Sequence, residues 1–237
     1  MNKKISVIIV LLIAVVALVI VFILTPPAID FTAYEAGQAR KDAFVGHFQP
    51  IIAEENTRLR ALRKELLALD ETSRNKSWVQ DLAIKYRVED YDGTKAAHWD
   101  ELLIKVGAIP VSLSLAQAAN ESSWGTSRFA RVANNFFGHW CFEKGCGVVP
   151  NSRNAGASHE VADFDSSVDS VKSYMLNLNR HYAYTQLRAI RNELRSNQQS
   201  LSGAAMAGGL VGYSERGEAY IEELREMIRF NQWAQFD

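Results

Sequence analysis

From Ile5 to Leu24 the chain carries no charge and, apart from Ser6, only apolar side chains, and this run constrains the chain more than any other feature. Its length is close to the roughly 20 residues that a helix needs to cross the hydrocarbon core of a bilayer. A cleaved secretion signal has an apolar core of about 7–15 residues and ends in a small-x-small site. Here the run is longer, and Thr25-Pro26-Pro27-Ala28 follows it. It therefore reads as a retained single-pass anchor rather than a cleaved signal. Lys3 and Lys4 precede it and stay cytoplasmic, so the chain beyond Leu24 faces the other compartment.

The 237 residues, 48% of them hydrophobic, suffice for one or two cored domains. Lys and Arg number 26 against 27 Asp and Glu, and no basic face suggests a nucleic-acid partner. Cys141 and Cys146 flank Phe-Glu-Lys-Gly and are the only cysteines. In an oxidising compartment they read as a disulfide across a turn. A metal site would need more ligands. The histidines are scattered, and His159-Glu160-Val161-Ala162-Asp163 lacks the second histidine of a zinc helix, so neither metal nor cofactor is expected.

Thr25-Pro26-Pro27 stops the first helix and begins a linker, closing an anchor segment at 1–28. Phe44, Phe48, Ile51, Glu55, Leu59, Leu62, Leu66 and Leu69 recur at helical spacing. They predict an amphipathic helix, or two broken near Pro50, and 29–99 reads as a helical stalk or brace. Short helices follow near Trp78–Tyr86 and His98–Val106. Gly107 closes the second, and Pro110 opens a helix running to Gly125 within a third unit, 100–237. Thr126-Ser127 caps a short helix at Arg128–Val132. From His139 to Phe164 the pattern becomes aromatic and β-branched, predicting a hairpin over Trp140–Val149 folded at the cysteines and a strand at His159–Phe164. Helices resume at Ser167–Leu178, Tyr184–Ser196, Ser200–Gly208 and Glu218–Phe230, so the class is α+β and mostly helical.

Chemistry concentrates in Pro110–Gly138. Gln117, Glu121 and Trp124 share one helix face, with Asn120 beside them. Glu121 sits in the last turn, where helix carbonyls oppose its charge, and Trp124, Phe136 and Phe137 offer apolar walls. Both effects favour the protonated carboxyl that a general acid requires.

The segment Ala116-Gln117-Ala118-Ala119-Asn120-Glu121-Ser122-Ser123-Trp124-Gly125-Thr126-Ser127, followed by Asn134-Asn135-Phe136-Phe137-Gly138, resembles the AQAxxESxWGxS…NNLFG signature of the bacterial glucosaminidases. These are peptidoglycan hydrolases that include flagellar muramidase and autolysin modules. The resemblance implies a lysozyme-like domain with a small β-hairpin. It makes Glu121 the acid that protonates the leaving oxygen of a β-1,4 glycosidic bond. The family's second carboxylate lies on the hairpin, where this chain offers Glu143, Glu160, Asp163 and Asp165, and Glu160 is the one expected. Tyr184 matches a cleft tyrosine of the family, whereas Tyr213 and Tyr220 fit its GYATDPxYA segment only in part and are assigned to packing or the groove edge. In the cleft that the resemblance implies, Trp124, Phe137 and Trp140 can stack on sugar rings and Asn134 can bond an N-acetyl group, while Asn135 holds the turn.

The expected protein is thus a single-pass protein of the inner, cytoplasmic membrane with its catalytic domain in the periplasm. It acts as an endo-β-N-acetylglucosaminidase on peptidoglycan glycan strands. The competing classes are a lytic transglycosylase, an amidase-type wall hydrolase and a non-catalytic wall-binding protein.

Overall fold

The computed structural model describes residues 29–151, 153, 156 and 158–237, so the expected anchor at 5–24 lies outside the described residues. Among the described residues no helix is long and apolar enough to cross a membrane. The first long element is α1, Gln38–Leu67, which runs through Pro50 unbroken. Pro50 cannot donate to the Gly46 carbonyl, but Gly46 is exposed and water can take that place. Phe44, Phe48, Ile52 and Leu59 form its buried stripe, with Ile52 rather than Ile51 fully inside.

Two short helices follow, α2 (Ser77–Lys85) and α3 (Ala96–Lys105), each within two residues of its expected bounds. With the end of α1 they enclose a small core of Leu66, Val79, Ala83, Tyr86, Trp99 and Leu102. The larger core surrounds α4, Val111–Ser122, whose residues from Val111 to Ala119 are all buried. Around it pack α1, α8 (Gly203–Ala207), α9 (Glu218–Phe230) and a 3-10 turn at Trp233–Phe236. Asn56 ties α1 to the entry of α4: its amide donates to the Ile109 carbonyl at 2.7 Å and its oxygen accepts from the Ile109 N–H at 2.9 Å. At the start of α4, Asp237 accepts from the Ser112 N–H at 2.9 Å and its hydroxyl at 2.8 Å.

The short helix α5 (Arg128–Ala133) starts on Ser127, whose hydroxyl accepts from the Ala130 N–H at 3.3 Å, as the capping pattern predicts. Then come three short strands, β1 (Trp140–Cys141), β2 (Gly147–Val148) and β3 (Glu160–Ala162). They form an antiparallel sheet in the order β1-β3-β2, with Trp140 opposite Val161 and Val148 also opposite Val161. This corrects the expected Trp140–Val149 hairpin: β1 and β2 flank β3 and do not pair with each other. The Cys141–Cys146 disulfide forms as expected and spans them at a Cα separation of 6.1 Å. A bond closing so short a loop contributes about 2 kcal/mol by the chain-entropy relation. Replacing both cysteines by serine is expected to lower the thermal midpoint, and an unchanged midpoint would show that β3 alone orders the ribbon.

The remaining helices are α6 (Ser167–Arg180) and α7 (Thr185–Ser196), joined by a 3-10 turn at Tyr182–Tyr184. Helices throughout with one small sheet make the chain mostly helical α+β, an arrangement that fits a lysozyme-like fold.

Candidate active site

The end of α4 organises the site. Ser123, Trp124 and Gly125 all take left-handed backbone angles, with φ of 51°, 58° and 76°. For the two residues that have a Cβ this costs roughly 1–3 kcal/mol each. The turn is held by several bonds. The Trp124 N–H reaches back to the Ala119 carbonyl at 2.8 Å, and the Ser122 hydroxyl accepts from the Gly125 N–H at 2.8 Å while donating to the Ala118 carbonyl at 2.6 Å. A side chain at Gly125 would collide with the Phe31 ring, so glycine is required for both space and φ. The reversal swings Trp124 back over α1, where its ring meets Phe44 at 5.6 Å and Trp233 at 5.7 Å.

Glu121 is left at the rim, half-buried, facing tyrosines. The Tyr220 hydroxyl donates to its Oε1 at 2.8 Å. That hydroxyl accepts from the Gln117 amide at 3.1 Å, and the Gln117 oxygen accepts from the Tyr174 hydroxyl at 2.6 Å. Tyr213 stacks on Tyr220 with centroids 5.6 Å apart and donates to the Phe137 carbonyl at 2.9 Å, and Tyr184 lies 5.9 Å from Tyr213. On the other side, Gly138 comes so close that a Cβ there would sit 3.7 Å from Glu121 Oε2. Burial pushes the Glu121 carboxyl above the usual range, and bonds from Tyr220 and Asn120 pull against it. The Glu223 charge adds to the rise and Arg216 opposes it. Burial, and then the Glu121 charge, push the Tyr220 phenol far above its ordinary value, so it stays a hydrogen-bond donor.

The other expected residues take varied places. Gln117 is fully buried, with both amide ends engaged by Tyr174 and Tyr220, so it positions the tyrosines and does not reach a ligand. Phe137 is also buried and stacks on Tyr174 at 3.9 Å, which leaves no face for a sugar. Asn134 ends α5 in a left-handed conformation and donates to the Phe164 carbonyl at 2.9 Å. Asn135 does hold the turn, bonding the His139 and Ala162 carbonyls. Trp140 is 59% exposed and stacks on His159 at 4.2 Å, so its outer face is free. Tyr184 is buried, with its phenol raised by that burial and within reach of the Glu121 charge.

Glu160 is engaged elsewhere. Its carboxylate accepts from the Gly145 N–H at 3.1 Å and the Gly147 N–H at 2.9 Å, clasping the loop that the disulfide closes. Those backbone bonds hold it below the usual carboxylate range. The stabilisation they bring is present above the ordinary carboxylate range and lost as pH falls through the depressed value. Glu160→Gln is accordingly expected to loosen the 141–147 loop at neutral pH, read as faster amide exchange at Gly145 and Gly147. Unchanged exchange there would remove this role. Cys141, Cys146 and Glu160 are the one His, Cys and carboxylate grouping of metal-site size among the described residues, and the disulfide occupies both sulfurs.

Sequence reasoning assigned Tyr220 to packing or the groove edge, without its bond to Glu121, and did not single out Glu223. The two stand three residues apart on α9, on one face of that helix, and Glu223 is paired with Arg216 at 2.7 Å. The partial match of Gly212-Tyr213 and Ala219-Tyr220 to the family's terminal segment is the signal that marks both tyrosines. Next to this wall lies an open groove of about 590 Å³ between α1, α4 and α9, lined by Asn120, Trp124, Glu223 and Phe230. The Lys41 ammonium stands 5.0 Å from the Trp124 ring centre and 5.4 Å from that of Phe230.

Residues 96–232 match the glucosaminidase family, described as mannosyl-glycoprotein endo-beta-N-acetylglucosaminidase. Over 207 residues the chain is 34% identical to Protein bax of Escherichia coli (strain K12), an overlap covering 86% of this chain and 74% of that protein. No solved structure matches the chain.

Proposed function

The chain belongs to the glucosaminidase family, and from that premise we propose that it is a membrane-anchored hydrolase cleaving β-1,4 bonds of peptidoglycan glycan strands with Glu121 as general acid. The observation that carries this reading is a carboxyl raised by burial and held by a phenol that stays protonated, with its neighbour Asn120 and the Glu223 charge that acts on it both lining a groove. In its protonated form Glu121 donates to the glycosidic oxygen as the C–O bond breaks. The sugar left behind has oxocarbenium character. Water then adds to that carbon and its spare proton restores the acid. The Tyr220 hydroxyl stabilises the carboxylate that exists between the two steps. Trp124 and the exposed face of Trp140 serve as sugar platforms in this reading, and the apolar run at 5–24 keeps the domain on the periplasmic side of the inner membrane.

The expected second catalytic group, Glu160, is here given the loop as its task. Among the described residues the acidic charge acting on Glu121 is that of Glu223, itself neutralised by Arg216. A site with one free carboxylate also suits a lytic transglycosylase, in which the sugar's own 6-hydroxyl replaces water. Incubating the full chain with sacculi separates the readings by mass. Hydrolysis gives new reducing ends and products heavier by one water, anhydro ends would assign the transglycosylase, and peptides released without new reducing ends would assign an amidase. No soluble product at all would overturn enzymatic function.

The Tyr220 bond lowers the Glu121 pKa, so Tyr220→Phe is expected to raise it. A general acid loses activity as pH rises through its pKa, and in the variant that loss moves to higher pH. A pH–rate profile whose alkaline limb stays in place would remove Tyr220 from the mechanism.

A further inference from the structure

Far from Glu121, four cations converge on one small recess. Arg60, Arg63, Lys64 and Arg195 line a pocket of about 280 Å³ whose remaining walls are Leu67, Ala108 and Leu201. Arg60, Arg63, Lys64 and Leu67 stand at spacings of three, four and seven on α1, so that one face of its last turns presents all of them. Arg195 comes from the end of α7, across the recess.

Among the described residues none of the four forms an ion pair; the ion pairs there involve Arg58, Arg74, Lys105, Arg131, Arg216, Arg225 and Arg229. Arg63 donates to the Val106 carbonyl at 3.2 Å and to that of Leu103, which fixes its guanidinium in place. Behind the recess the fully buried Arg191 adds another positive charge, and Arg195 and Arg63 both act on it. Burial, and then Arg63, lower the Arg195 guanidinium to about 10. Arg63 and Arg195 are half-buried and Arg60 and Lys64 exposed around them; like charges so gathered repel, and a bound anion relieves the repulsion. A carboxylate would offset one of the four charges. A free phosphate offers up to two and a phosphodiester one, in both cases with paired oxygens that suit the guanidinium fork.

We propose that the recess between the C-terminal ends of α1 and α7 is a binding site for a phosphate group, carried free or as the diester of an anionic lipid headgroup. Arg60 lies 19 residues along α1 from Lys41, about 28 Å by the helical rise, so the site is separate from the groove beside Glu121. It does not depend on the glycosidase reading.

The test uses the full chain in neutral detergent, titrated with inorganic phosphate against chloride at matched ionic strength and followed by calorimetry. A second arm uses dihexanoyl phosphatidylglycerol below its micellar concentration, with the phosphatidylcholine analogue as control. Saturable one-site binding of either phosphate probe is expected, weakened at least tenfold in the Arg60→Gln, Arg195→Gln double variant, whose melting curve checks folding. If inorganic phosphate binds and the lipid does not, the ligand is a free or polymer phosphate; the converse assigns the headgroup. Signals equal to the controls in both arms, or unchanged in a folded double variant, overturn the proposal.

Discussion

Glu121→Gln is expected to lower sacculus-degrading turnover by roughly 10²–10⁴-fold, the range a positioned general acid contributes. The amide is isosteric and can still accept the Tyr220 hydrogen bond, so the loss isolates the proton itself. The same substitution is expected to raise stability. Burial lifts the carboxyl's pKa in the folded state above its unfolded value. Stability is therefore undiminished below the unfolded value and falls as pH rises toward the folded one, because the unfolded chain gives up its proton first. A neutral amide carries no such cost, and at neutral pH the variant should gain on the order of 1 kcal/mol, as relieved functional sites commonly do. Turnover within tenfold of the parent would refute the assigned role. Lost activity with a lowered melting point would instead mean a damaged fold.

The largest stability effect is expected at Arg191, which is fully buried on α7. Its guanidinium donates to the Gly107 carbonyl at 3.0 Å, Ala108 at 3.2 Å, Ile104 at 2.8 Å and Lys105 at 3.3 Å, and to Asn179 Oδ1 at 2.5 Å. It thus caps the C-terminus of α3, where carbonyls have no helical partner and a cation is favoured. Arg191→Met keeps most of the volume and strands those oxygens, except that of Gly107, which still accepts from the Asn179 amide at 2.8 Å. Each buried unpaired acceptor costs about 1–3 kcal/mol, partly relieved where water enters, so about 3 kcal/mol or more should be lost. Urea unfolding should show a lower midpoint at unchanged slope. Arg191→Lys should recover only a fraction, since one ammonium cannot replace a planar fork. A midpoint within error of the parent for Arg191→Met would show that the α3 end is held by its other contacts.

Helix starts were the most legible part of this sequence because their signals are local, whereas α4 stops at Ser122, short of the expected Gly125. Ser127 caps α5 and Pro110 precedes α4 as their chemistry dictates, and the bounds of α9 agree with its expected span. The sheet was less legible: β3 inserts between β1 and β2, a choice fixed by pairing as distant as Trp140 with Val161 and not by the turn at the cysteines. Glu121 could be read from its motif, but its environment could not, since Tyr220 lies 99 residues away. Gln117 and Phe137 look like ligand contacts in the motif. They sit one turn too deep, already covered by Tyr174 and Tyr220, while the left-handed turn after Ser122 takes Trp124 off the face that helical spacing assigns it.

The stripe on α1 also has a consequence in time. Phe44, Phe48, Ile52 and Leu59 are synthesised before their partners on α4 and before Phe136, which meets Phe48 at 4.7 Å. At about 5–20 residues per second, the ribosome needs on the order of 4–15 s to pass from Leu59 to Phe136. Until α4 follows, Phe31, which meets Phe44 at 5.1 Å, is the aromatic partner already made, and the rest of the row waits for its cover. Chaperone occupancy on ribosome-bound chains should therefore peak once α1 has emerged and decline as Phe136 follows.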